Sequence, residues 1–186
     1  MLNKFLSELF TGKLNKSLSI LEDIPLEASV PNEVLTMLRL AIFKPEQSYL
    51  SYQKILNIWS KWGQPPLKPN STKLKILFLS DFTADHFSPM IKLFCAAQGV
   101  EAEVILPGFD SIEQSALDPS SSMYECEPDI ISLIFSEYWL QKYIGNSSLV
   151  EQSDLESAQN TLSNLVAAIK SNCSANILIA NLPGRA

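Results

Sequence analysis

Leu74-Lys75-Ile76-Leu77-Phe78-Leu79-Ser80-Asp81-Phe82-Thr83 decides how this chain folds. Ile76-Leu77-Phe78-Leu79 is a short unbroken apolar run, as expected of a strand buried on both faces. It stops on Ser80 and Asp81, whose side chains bond readily to the backbone of a turn. A helical pattern over 89–98 follows, with Gly99 at the position just past its end. Val104-Ile105-Leu106 predicts a second strand, 130–135 a third and Ile177-Leu178-Ile179-Ala180 a fourth. Between the last two, Ser153-Asp154-Leu155-Glu156 has the form of a capping box. The helix it opens carries Leu155, Ala158, Leu162, Leu165, Val166 and Ile169 on one face. Strand and helix alternate throughout, which predicts an α/β domain with a doubly wound parallel sheet. Such sheets usually have five or more strands, so the domain is expected to be truncated, incomplete at its C-terminus. A strand edge left open there would favour self-association.

Working outward, residues 1–62 predict a small all-helical N-terminal region. Leu2, Phe5, Leu6, Leu9 and Phe10 recur at helical spacing, and Gly12 suits the end of that helix. Leu14, Leu18 and Leu21 continue the pattern, and Pro31 suits a first helical turn ahead of Val34, Leu35, Leu38 and Ile42. Ile55, Ile58, Trp59 and Trp62 form a further apolar stripe. Packing explains these tryptophans at least as well as a partner-binding ridge does. Residues 63–72, with Pro65, Pro66 and Pro69, predict a stiff linker, because each proline fixes φ and removes a donor. The α/β domain is then expected over 73–186.

Composition narrows the function classes. The 186 residues are 46% hydrophobic and 18% charged, enough apolar material for a sizeable core. A formal charge of -6 repels phosphate backbones, so neither nucleic acid nor an anionic membrane is an expected partner. Cys95, Cys126 and Cys173 are odd in number and far apart, the usage of a reducing compartment. No apolar run approaches the ~20 residues of a spanning helix. A cytoplasmic protein is the expectation.

In open parallel sheets, ligands bind beyond the carboxyl ends of the strands. That rule selects Ser80 and Asp81 after strand one, 107–110 with Gly108 after strand two, Ser136 and Glu137 with Tyr138 and Trp139 after strand three, and Asn181 after strand four. Ser80 stands where a nucleophile would stand, with backbone N–H groups of its own turn and of Gly108 as oxyanion donors. It would still need a base. The only histidine, His86, lies six residues away, so a turn-forming Ser-Asp pair is the default. Dinucleotide and P-loop glycine motifs are absent, and one histidine with scattered cysteines predicts no metal site. Asp118, Glu125, Glu127 and Asp129, around Pro119 and Pro128, predict a solvated loop face.

Three stretches carry a resemblance: 74–83, Gln98-Gly99-Val100-Glu101-Ala102-Glu103-Val104, and Leu117-Asp118-Pro119-Ser120-Ser121 followed by Pro128-Asp129-Ile130-Ile131. With Gly108-Phe109-Asp110 and Glu113-Gln114, these resemble the N-terminal region of FkbH-like proteins of the haloacid-dehalogenase-like superfamily. The resemblance covers about a third of the chain well and implies an SGNH-hydrolase-like or flavodoxin-like fold, followed by a phosphatase-like domain. It places Ser80 at the nucleophile position and Gly108 at the second oxyanion position. Ser136-Glu137 stands where the family has asparagine, and Asn181-Leu182-Pro183 does not match the Asp-x-x-His block. The glyceryl-loading chemistry of the best-known members uses magnesium and an Asp-x-Asp-x-Thr motif in the downstream domain. That motif is absent here, so no cofactor is expected in this chain. The resemblance implies an accessory domain that serves an acyl carrier protein or the downstream domain in polyketide-type biosynthesis. The alternative is a serine esterase or acyltransferase using Ser80.

Overall fold

The structure, a computed structural model, describes residues 1–24, 31–44, 48–63, 72–108, 112–144 and 152–180. Most of the proline-rich joint and Asn181 lie outside the described residues. The chain divides into two compact units, Met1–Lys73 with Pro89–Glu101, and Leu74–Ser88 with Ala102–Ala186.

The first unit is helical. It holds α1 (Leu2–Phe10), α2 (Leu14–Glu22), α3 (Asn32–Ile42), α4 (Tyr49–Lys61) and most of α5 (Phe87–Ala97). Gly12, at φ +81, reverses the chain after α1, a conformation in which a Cβ would be strained. Pro31 stands at the N-cap of α3, where its missing N–H is no loss. Phe5, Leu18, Leu21, Met37, Leu38, Ile42, Ile55 and Ile58 are buried together with Leu93 and Ala97 of α5. Each of these Phe, Leu, Met and Ile side chains contributes roughly 1.5–3 kcal/mol by leaving water. Trp59 is buried in the same cluster, which accounts for it by packing. Two polar ties hold α1 to α3 and to the chain just past it: Leu2 N–H donates to Glu33 Oε1 at 2.9 Å, and Lys44 Nζ donates to Leu9 O at 2.7 Å. The sequence places the 89–98 helix with the α/β part, whereas its apolar face packs in the helical unit.

The second unit is built on the sheet. Its elements are β1 (Thr72–Ser80), β2 (Val100–Ile105), α6 (Ile112–Leu117), α7 (Ser122–Glu125), β3 (Ile130–Ile134), α8 (Glu137–Ile144), α9 (Gln152–Asn172) and β4 (Asn176–Ile179). The parallel sheet has the order β2-β1-β3-β4, with Leu77 beside Ile131 and Ile131 beside Ile177. Alternation puts Leu77, Leu79, Ile131 and Leu133 on one face. They are buried there with Ile112, Ala116, Met123, Trp139, Leu165 and Ile169 of the helices. On β4, Leu178 and Ile179 are exposed.

Three local expectations differ. Ser153 stands inside α9, not at its N-cap, and the first turn is instead tied by Gln152 Nε2 donating to Glu156 Oε1 at 3.2 Å. Of the face predicted for α9, Ala158, Leu165 and Ile169 are buried, while Leu155 is exposed. The stretches around Ser122 and Glu137 form short helices where loops are predicted, and a further short helix stands around Glu113. Packing of Ile112, Ala116, Met123 and Trp139 into the core stabilises helices too short to stand alone.

At the N-terminal end of the sheet, Asp129 joins three strands. Its Oδ2 accepts from Lys75 N–H at 2.7 Å, its N–H donates to Lys75 O at 3.0 Å, and its carbonyl accepts from Asn176 N–H at 2.9 Å. Just before it, Glu127 is exposed at φ 48, a left-handed conformation uncommon for a side chain of its kind.

Candidate functional site

The strand order fixes where to look. From β1 the chain moves to β2 on one side, while β3 and β4 lie on the other, so the switch point falls between β1 and β3. Ligand crevices of such sheets open there, beyond the carboxyl ends. Ser80 closes β1 and Ser136 follows β3, so these two predicted positions stand at the carboxyl ends of the strands that flank the switch point.

Ser80 is 8% exposed, and its Oγ donates to Phe82 O at 2.7 Å, two residues on. Its one O–H is thereby committed to the turn. Among the described residues, no imidazole or carboxylate bonds to Ser80 Oγ. The His86 ring stands 4.2 Å from the Phe87 ring. A Cβ built at Gly108 would meet nothing within 4 Å, so space does not demand glycine there.

Asp81 is the strongest contact of the crevice. Ser136 donates to it twice at 2.7 Å, from N–H to Oδ1 and from Oγ to Oδ2. Ser136 Oγ in turn accepts from Tyr138 N–H at 3.2 Å in the first turn of α8. The Asp81 charge therefore sits at a helix N-terminus, where the helix dipole favours it. Glu137 is exposed at the same terminus and favours the helix in the same way.

Beside this clamp lies an open cleft of about 320 Å³ lined by Asp81, Ile112, Glu113, Gln114, Trp139 and Lys142. Glu113, in the first turn of α6, is held from α8: Trp139 Nε1 donates to its Oε1 at 3.2 Å, and Tyr143 OH donates to the same oxygen at 3.4 Å. Trp139 is 2% exposed, with its ring 4.4 Å from Phe135 and 5.0 Å from Tyr143, so the donor is rigidly placed. Trp139 is predicted at the ligand edge and does line the cleft, mostly as buried wall, while Tyr138 is exposed. The sequence did not single out Glu113, Gln114 or Lys142 as site residues. One signal was available: Trp139 and Tyr143 are four apart and share a helix face.

The shifted ionisable groups lie outside the cleft lining. Hydrogen bonds from the Ser120 hydroxyl and N–H hold Asp118 below the usual carboxylate range. Burial pushes the Cys95 and Cys126 thiols up. Among the described residues, no three His, Cys, Asp or Glu side chains gather as metal ligands. Asp81, the one carboxylate at the end of β1, accepts one bond from Ser136 on each of its oxygens. Among the described residues, no helix is long and apolar enough to cross a membrane.

No protein-family profile and no curated protein matches the sequence. A solved structure does match the fold: the crystal structure of the N-terminal part of the protein BF1531 from Bacteroides fragilis, containing a phosphatase domain complexed with Mg. The TM-score is 0.53 at 21% sequence identity, over 62% of this chain and 30% of that one. The chain is thus similar in fold to a part, about 30%, of a longer phosphatase-containing protein.

Proposed function

We propose that this chain is a non-catalytic accessory domain that works beside a phosphatase-like domain and helps present a carrier protein or partner domain to it. The observation that carries this reading is the state of Ser80: buried, with its hydroxyl proton given to Phe82 O at 2.7 Å. A serine nucleophile needs a base that takes that proton, held in place by a third group. The fold likeness to a phosphatase-containing protein supports the neighbour, and the FkbH-like resemblance suggests glyceryl or acyl loading onto a carrier as its setting. Magnesium would then belong to the neighbouring domain.

The rival is an esterase or acyltransferase using Ser80, favoured by the position of that residue at the end of β1. The two are separated by assaying the full chain with p-nitrophenyl acetate beside a Ser80→Ala variant. The accessory reading expects equal background rates from both. Turnover lost on Ser80→Ala would sink it and establish the esterase.

A further inference from the structure

We infer that the cleft between α6 and α8 binds a small zwitterionic molecule, with its ammonium group on Glu113 and its carboxylate on Lys142. The inference rests on the accessory reading, since a bound metabolite is something a non-catalytic domain can hold for its neighbour. A volume of about 320 Å³ suits a small metabolite.

The lining sets the chemistry. Glu113 Oε1 is filled by Trp139 and Tyr143, while among the described residues nothing donates to Oε2 and no cation pairs with Glu113. Its two donors are neutral and hold the carboxyl group already oriented. A cationic donor arriving from the cleft gains a charge-assisted bond with little further ordering. Lys142 brings the opposite charge to the same cleft, and its ammonium has three donors to share. The side-chain amide of Gln114, exposed beside them, can serve either end of the ligand. Asp81 also lines the cleft, with one hydrogen bond from Ser136 on each of its carboxylate oxygens. A wall carrying two held carboxylates, one cation and one amide complements a molecule that carries an amine and an acid together.

Trp139 supplies the readout. The chain has three tryptophans, and the Trp139 indole N–H touches Glu113 directly. β-Alanine is titrated into the full chain while the indole resonances are followed by NMR, the Trp139 signal being assigned by its loss in Trp139→Phe. A saturable shift with Kd on the order of 1 mM is expected, weakened about tenfold or more for ethylamine and for propionate. Glu113→Gln keeps a carbonyl acceptor for Trp139 and Tyr143 but puts an amide donor in place of Oε2. It should abolish the shift while the other amide resonances stay in place, and Lys142→Met should weaken binding. Absence of a β-alanine shift, equal binding of ethylamine or glycerol, or full binding by Glu113→Gln would overturn the inference. Those results leave Ser80 untouched, and ester turnover by Ser80 leaves the cleft untouched, so the two failures are distinguishable.

Discussion

The two ends of the parallel sheet each carry an aspartate that joins separate strands, and they use it differently. At the N-terminal end, Asp129 stitches Lys75 of β1 to Asn176 of β4 through a side-chain bond and two backbone bonds. At the C-terminal end, Asp81 also reaches across, to Ser136, but beside it the helices part to leave the cleft that holds Glu113 and Lys142. The same device serves as closure at one end and as the floor of an opening at the other. The difference follows from the polarity of parallel strands: loops leaving the carboxyl ends on either side of a switch point diverge, whereas those arriving at the amino ends have no such crevice.

Substitutions can break or sharpen that contrast. The largest effect is expected from Asp81→Ala, which removes two hydrogen bonds to a charged, part-buried acceptor and leaves Ser136 N–H and Oγ to find water. A loss of about 2–3 kcal/mol in urea denaturation is expected, with the Trp139 environment perturbed as α8 loses its anchor. Asp129→Ala removes one such bond at an exposed position, so about 1 kcal/mol should be lost and the Trp139 indole signal should stay where it is. Equal losses, or a Trp139 shift in both variants, would erase the distinction between the ends. The smallest effect has the opposite sign. Glu127→Gly relieves a left-handed backbone at an exposed site and should raise stability by about 0.5 kcal/mol, since part of the relief is offset by the freer unfolded chain.

The sequence made some of this molecule plain and concealed the rest for physical reasons. The strands were legible as short, mostly apolar runs at 76–79, 130–135 and 177–180; 76–79 is buried throughout, as a strand covered on both faces requires, whereas Leu178 and Ile179 of β4 are exposed. Their parallel pairing followed from the alternation with helices. The short helices α6, α7 and α8 were not legible. The stretches of α7 and α8 read as loop, that of α6 was assigned to no element, and what holds all three helical is burial of Ile112, Met123 and Trp139 against a sheet distant in sequence. The place of α5 was hidden for a similar reason: its periodicity revealed a buried face but not which core receives it. At the candidate site, Ser80, Asp81 and Ser136 were found by the strand-end rule. Their use was not, because the Asp81–Ser136 bond spans 55 positions and the Ser80 bond depends on the exact turn. Glu113 escaped notice because its partners lie 26 and 30 residues on, in another helix.

The Asp81 carboxylate at the head of α8 also acts as a tethered competitor. Exposed N–H groups at a helix N-terminus attract free anions, but here the chain supplies its own, held at an effective concentration that a dissolved anion must exceed to displace it. The head of α8 is thus satisfied from within the chain, by a carboxylate that reaches it across 55 positions of sequence.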